Sequence, residues 1–423
     1  MEITVPLWAV LATVCFVAVL LVLIWSGRRT LIAQVDTLRF DAGIEALLPN
    51  IAAVTGTPAV GGNRVEVLQN GDGFFGRLLD DVAAAEQSVH YETYVWWTGD
   101  ICGRFAAALA AKAREGVEVR LILDAQGCLP MDSDLLDQMV DAGCLVEKFH
   151  PFDLRHLGKV NSRNHRKMAV IDGRIAYFMG HGISGNWEGD ARTEDEWRDT
   201  AVRIRGPGVH HAQAVFLSHW LHVHDELPLQ AEHFPNLEEE GGATVHITES
   251  DPVGAYSEIE VLLKTAIASA QESIRIQNPY FVPDRSVVDL LAERAAEGID
   301  VRITLPEIND SVLVRAASHK YYTPLLESGV KLYEYRKTFA HQKVVVIDGL
   351  WSLVGSANFD HRTLEINREV TVGILDREIA RQLTEAFDAD LRHSREITLE
   401  EWRGRPLYHQ IGSNLAFMIR QQL

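Results

Sequence analysis

Two short stretches of this chain carry the residue types that phosphate chemistry needs. His165-Arg166-Lys167 is followed after four residues by Asp172, and His341-Gln342-Lys343 is followed at the same spacing by Asp348. Imidazole can attack an electrophile or move a proton near neutral pH. An ammonium group supplies fixed positive charge. A His-plus-Lys pair therefore suits a substrate bearing a phosphate ester, and the chain has two such pairs. One copy of so short a pattern is a weak signal. Two copies at one spacing gain force if their surroundings repeat as well.

The surroundings do repeat. Each motif runs into an apolar stretch, Met168-Ala169-Val170-Ile171 or Val344-Val345-Val346-Ile347, closed by Asp172-Gly173 or Asp348-Gly349. These read as buried strands ending in turns, and on a strand His and Lys two apart share a face. Asp172 and Asp348 belong to the candidate site through the motif. Their position at strand ends reads as structural, bonding to turns or to a Lys. Ala113–Leu123 aligns with Ala295–Leu305, each a helix end, a glycine stop and a strand. Ser88–Glu92 matches Ser273–Gln277. Asp199–Ile204 and Glu369–Ile374 each lead from a polar segment through a strand into a helix. Strands alternating with helices predict an α/β fold: two tandem homologous α/β domains, each a mixed sheet flanked by helices, forming a pseudo-twofold pair. The expected boundaries are 61–235 and 236–396, preceded by a linker over 31–60 and followed by a tail over 397–423. Such a pair brings both His-Lys sets to the interface, where pockets are common.

The duplicated pattern resembles the phospholipase D superfamily. Asn278–Pro283, Tyr321–Val330, Gly355–Arg362, Trp197–Thr200 and Trp402–Leu407 narrow the resemblance to the bacterial cardiolipin synthase branch, over most of residues 60–423. The resemblance implies a two-step phosphatidyl transfer. One histidine becomes a phosphohistidine, and the other protonates the leaving alcohol and deprotonates the incoming one. By analogy His165 is taken as nucleophile and His341 as acid, with the reverse left open. Lys167 and Lys343 neutralise the phosphate. Ser356 and Asn358 are candidate phosphate donors. Asp199 and Glu369 hold the family position of the carboxylates that orient the histidines. In the first half Gly182 stands where the family has Asn, so a backbone N–H or Ser184 is expected to replace that donor. The implied reaction joins two phosphatidylglycerol molecules and releases glycerol. A phospholipase D passing the phosphatidyl group to water shares every catalytic residue and is the alternative. A membrane scaffold with a dead site is disfavoured by the two intact His-Lys sets.

Val5–Trp25 is almost unbroken apolar sequence without charge, close to the length a membrane-spanning helix needs. Glu2 before it and Arg28-Arg29 after it fit a retained anchor over 1–30 better than a cleaved signal peptide. They also place the body in the cytoplasm, at the inner (plasma) membrane. Net charge is −19, which argues against nucleic acid as partner. It leaves phospholipid and membrane as partners and says nothing of oligomeric state. Cys15, Cys102, Cys128 and Cys144 form no Cys-x-x-Cys pair, and no His/Cys cluster has zinc spacing, so no metal or other cofactor is expected. His90, His181 and His361 read as structural. The tail carries Leu407, Ile411, Leu415 and Met418 at helical spacing, fit either for a membrane surface or for packing on the body.

Overall fold

A computed structural model describes residues 6, 8, 11–16, 40, 42–152, 161–224, 230–251 and 256–418. Most of the expected anchor, Val5–Trp25, lies outside the described residues. Among those described, no helix is long and apolar enough to cross a membrane.

The first half runs α1 (Ile44–Thr55), then β1 (Ala59–Gln69), α2 (Asn70–Ala83), β2 (Ser88–Thr93), α3 (Asp100–Arg114), β3 (Glu118–Asp124), α4 (Ser133–Asp141), β4 (Leu145–Phe149), β5 (Met168–Ile171), β6 (Ile175–Met179), β7 (Thr200–Arg205) and α5 (Val209–His224). The second half runs β8 (Ala243–Ser250), α6 (Glu258–Ala268), β9 (Ser273–Gln277), β10 (Phe281–Val282), α7 (Arg285–Ala296), β11 (Asp300–Pro306), α8 (Val312–Glu327), β12 (Lys331–Tyr335), β13 (Val344–Ile347), β14 (Trp351–Gly355), β15 (Phe359–Asp360), α9 (His361–Glu365), β16 (Glu369–Leu375) and α10 (Arg377–Leu391). It closes with β17 (Ser394–Ile397), α11 (Leu399–Arg403) and α12 (Leu407–Met418).

Strand order is β17-β12-β11-β9-β13-β14-β16-β8-β1-β7-β6-β5-β2-β3-β4. Read outward from the antiparallel β8–β1 seam, the two halves mirror each other. The order β1-β7-β6-β5-β2-β3-β4 answers β8-β16-β14-β13-β9-β11-β12. The registers agree too: Ile171 faces Val89 and Ile175, as Ile347 faces Ile274 and Trp351. The predicted glycine stops hold, with Gly116 and Gly298 both at positive φ after their helices.

The motif strands are buried on both faces. Ala169 and Ile171 pack in the first half's outer core, and Val345 and Ile347 in the second's. Met168, Val170, Val344 and Val346 meet in a third core shared by both halves. That alternation is the period of two expected of a strand. Burial on both faces explains why the runs are continuously apolar.

At the edges one expectation changes and one open alternative is decided for part of the tail. The stretch 31–60 is not all linker. α1 lays Ile44, Leu47, Leu48 and Ile51 into the second half's core beside Leu262 and Ala266, because apolar residues at i, i+3, i+4 and i+7 form one helical stripe. The tail folds back on the body: Trp402 and Ala416 are buried in that same core, while Leu415 and Met418 are exposed.

Candidate active site

The motif residues sit just ahead of their strands rather than within them. His165 and Lys167 precede β5, and His341 and Lys343 precede β13. Each pre-strand segment is instead pinned to the opposite half. His165 N–H donates to the Arg368 carbonyl at 2.9 Å, and His341 N–H to the Arg198 carbonyl at 2.8 Å. Arg368 and Arg198 are the residues just before the two orienting carboxylates. The backbone therefore delivers each carboxylate to the histidine of the other half. His165 Nδ1 lies 2.9 Å from Glu369 Oε2, and His341 Nδ1 lies 2.8 Å from Asp199 Oδ2. Linear spacing within one half cannot reveal this crossing.

Three of the four catalytic candidates, His165, Lys167 and His341, line one cavity of about 310 Å3 between the halves, with Asn358, Tyr94, Trp97, Trp187, Trp197 and Tyr280 on its wall. The fourth, Lys343, is held against His341, donating to its carbonyl at 2.8 Å. All four are nearly buried. Burial holds His165 down at about 4, against the pull of Glu369. Burial and then the Lys343 and Lys167 charges keep His341 well below the usual imidazole range. Burial also brings Lys343 down to about 7 and Lys167 to about 8. Burial thus favours the neutral form of both histidines. The two rings differ in one contact. Lys343 Nζ lies 2.7 Å from His341 Nε2. Among the described residues no hydrogen bond engages His165 Nε2, and Lys167 Nζ donates to the His165 carbonyl at 3.1 Å.

Several candidates fall outside the cavity. Asp172 and Asp348 stand at positive φ, 53° each, at the far ends of their strands. Asp172 accepts the N–H groups of Glu86, Gln87 and Ser88. Asp348 accepts those of Gln271, Glu272 and Ser273. They anchor turns and are remote from the chemistry, which corrects their inclusion with the catalytic set. Ser356 is fully buried and donates to Glu369 Oε2. Its hydroxyl is committed to the carboxylate rather than to a phosphate. Ser184 does not replace the missing asparagine, because its Oγ caps the 310 turn Gly185–Trp187 and bonds Asn186. Asn358 alone of the two predicted donors reaches the cavity.

His181 is buried and stacked on Phe74 at 4.5 Å, and His361 pairs with Glu365 at 3.1 Å, as structural roles require. His90, Glu118 and His233 bring three potential ligand atoms together, a cluster the sequence spacing did not show. The Arg120 guanidinium lies 2.7 Å from the same Glu118 oxygen that His90 and His233 approach. A cation already occupies the position a metal would need. A larger groove of about 1060 Å3 opens among α6, α7, α8 and α12. It contains none of the paired histidines.

Sequence reading missed the aromatic wall. Tyr94 packs against His165 at 5.0 Å, and Trp187 edges onto His341 at 5.2 Å. The available signal was the cluster Tyr94-Val95-Trp96-Trp97 just after β2, in the position that Pro279-Tyr280 takes after β9.

Residues 78–220 and 263–391 match the family model described as cardiolipin synthase, phospholipase D-like domain. The major cardiolipin synthase of Bacillus subtilis is 34% identical over 360 residues, covering 84% of this chain and 75% of that protein. A cardiolipin synthase of Staphylococcus epidermidis is 33% identical, covering 87% and 75%. The crystal structure of phosphatidylserine synthase from Haemophilus influenzae shares the fold, with a TM-score of 0.68 at 14% identity over 90% of this chain and 99% of that one.

Proposed function

The chain belongs to the phospholipase D-like cardiolipin synthase family, and from that premise we propose that it transfers a phosphatidyl group from one phosphatidylglycerol to the terminal hydroxyl of another. The observation that carries this reading is the crossed pair of histidines. Each has Nδ1 fixed by a carboxylate, and both face one cavity beside two buried lysines, Lys167 on its wall and Lys343 against the His341 ring.

In the proposed first step His165 Nε2 attacks phosphorus. The bond from phosphorus to the head-group glycerol oxygen breaks, and His341 gives that oxygen a proton. Glycerol leaves, and the phosphatidyl group stays on His165. In the second step His341 takes the proton from a hydroxyl of the second phosphatidylglycerol. That oxygen attacks phosphorus, the phosphorus–nitrogen bond breaks, and cardiolipin departs. Lys167 and Lys343 offset the phosphate charge in a desolvated site, where such stabilisation is strongest. The arriving phosphodiester anion in turn offsets the two lysines and lets His341 hold a proton. Glu369 and Asp199 fix the tautomer of each ring, as a carboxylate does in the serine triad. Support for His165 as nucleophile is its unengaged Nε2, against the Lys343 contact on His341. Asn358 is the proposed side-chain donor to the phosphate.

The cavity is the size of a phosphodiester with its head group, so the acyl chains are taken to remain outside, toward lipid. In this reading 61–235 and 236–396 are the two duplicated domains. Val5–Trp25 is a single-pass anchor, and Arg28-Arg29 keep the body on the cytoplasmic face.

Phosphatidylglycerol supplied alone to the purified enzyme in mixed micelles tests the reaction. Cardiolipin and free glycerol are expected in equal amounts, with phosphatidic acid minor. Phosphatidic acid as the main product sinks transfer in favour of hydrolysis.

A further inference from the structure

The two histidine–carboxylate pairs are alike in front and different behind. In one, Glu369 Oε2 takes both the His165 N–H and the Ser356 hydroxyl. In the other, Asp199 Oδ2 takes the His341 N–H and the indole N–H of Trp187, the latter at 2.8 Å. Sheet register aligns Ser356 with Gly180: β14 and β6 pair identically with their neighbours, so Gly355 answers Met179 and the next residues answer in turn.

The first half has no room for a serine there. A Cβ on Gly180 would lie 2.3 Å from Asp199 Oδ1. Nor is there room for an asparagine at Gly182, where a Cβ would meet Val95 at 2.7 Å and the Trp187 ring at 2.9 Å. Trp187 is 1% exposed, held by the 310 turn Gly185–Trp187, and edge-on to His341 at 81°.

We infer that Trp187 is a positioning residue for this reaction: its indole N–H replaces the Ser356-type hydroxyl on the orienting carboxylate, with Gly182 as the clearance its ring requires and Gly180 as that of the carboxylate it serves. The inference rests on the proposed roles of His341 and Asp199. A donor on a carboxylate withdraws charge from it and weakens its hold on a neighbouring imidazolium. Trp187 thus sets how readily His341 gives up the proton that the leaving glycerol needs. The other groups facing His341 are Lys343 from its own segment, Lys167 and His165 from across the cavity, Asp310 and Tyr280 from the wall, and His181 beside Asp199. None of these other groups hydrogen-bonds Asp199 Oδ2 among the described residues.

The test is the pH–rate profile of Trp187→Phe, which keeps a ring and loses the N–H. The profile limb belonging to His341 is expected to move up by roughly 0.5–1 pH unit. Without the indole N–H, Asp199 is more basic and His341 keeps its proton to higher pH. Turnover should fall about tenfold, with KM for phosphatidylglycerol changed less than twofold. Benzothienylalanine at 187 preserves the bicyclic shape with sulfur in place of N–H, and it should reproduce the shift if Phe unfolds the protein. An unmoved limb in the sulfur variant overturns the inference, whatever its rate. The fate of the proposed reaction is read separately from the wild type. If that enzyme makes phosphatidic acid instead of cardiolipin, the transfer reading fails, and the limb shift still decides the role of Trp187.

Discussion

Behind the catalytic cavity the two halves hold their crossed segments in opposite ways. Arg198, just before Asp199, reaches into the second half and donates to both oxygens of Asp390 at 3.1 Å. The amides of Gln277 and Gln342 donate to the same carboxylate at 2.8 and 2.9 Å. One charge pair and two neutral amides make a buried network around Asp390. Arg368, just before Glu369, lies over the Phe149 ring of the first half at 5.5 Å but makes its ion pair within its own half, amid a network rich in charge. It pairs with Asp251 at 2.8 Å, Arg166 pairs with Glu249 at 2.5 Å, and His219 bonds Glu92. Arg166 and Gln342 are the middle residues of the two motifs, and Glu92 and Gln277 occupy matching strand positions. The duplication has kept the front of the site and rebuilt its rear. The histidines, the lysines and the crossed carboxylates recur in both halves. The supports need only hold position, and two chemistries do so.

The first way to break this comparison is at the histidines and their carboxylates, where the largest effects are expected. Loss of either histidine by His165→Ala or His341→Ala should abolish cardiolipin formation. Glu369→Gln and Asp199→Asn should each cost on the order of 10³–10⁴-fold in turnover, through loss of the correct tautomer. Because the pairing is crossed, the two lesions should differ in kind. Glu369→Gln should suppress the phosphohistidine trapped by acid-free quenching, as a defect of His165. Asp199→Asn should let it form with an activated leaving group, because only the acid at His341 is crippled. Label appearing on His341 instead exchanges the two roles and inverts both results.

The crossing also marks what the sequence could and could not disclose. The duplicated motif, the apolar strands, the glycine stops and the Asp-Gly turns were all legible, since each depends on neighbours in the chain. Asp199 and Glu369 were found by position, but their partners were not, because pairing across 142 and 204 residues is decided by the β1–β8 seam. Ser356 was misread for a related reason. A hydroxyl beside a motif can face a substrate or a carboxylate, and only packing shows which. Trp187 had no motif to announce it.

A smaller effect separates function from stability at the lysines. Lys343 is pushed down to about 7 by burial, against about 10.4 for a free lysine. Between these values the unfolded chain holds the proton and the folded chain does not, so this group makes stability rise with pH across that window. Activity runs the other way, since kcat/KM should fall as pH climbs through about 7–8 and the empty site loses its charges. Lys343→Met should therefore lose on the order of 10³-fold in activity while the thermal midpoint at pH 7 rises by a few degrees. A midpoint that falls would show that the buried ammonium is well compensated by Asp199, and that its low value comes from elsewhere.

The smallest effect on catalysis belongs to the motif's last residue, and here the halves should behave alike. Asp172 and Asp348 each gather three backbone N–H groups at the start of a strand, β2 in one half and β9 in the other. Each stands at φ 53°, a conformation Asp tolerates better than Ala. Removing the acceptor strands donors that are partly open to water, which places the cost per bond nearer the ~0.5–1.5 kcal/mol of an ordinary hydrogen bond than the full penalty of a buried unpaired group. Asp172→Ala and Asp348→Ala should thus lower the thermal midpoint by similar amounts, several degrees each. The Asn variants should lose less, since an amide oxygen still accepts and Asn also tolerates positive φ. Turnover per folded molecule should stay within about twofold of wild type, because neither carboxylate reaches the cavity. A variant with a normal midpoint and a large loss of turnover would return that aspartate to the catalytic set. Unequal midpoints would show that the rebuilding behind the two histidines extends to the turns that end their strands.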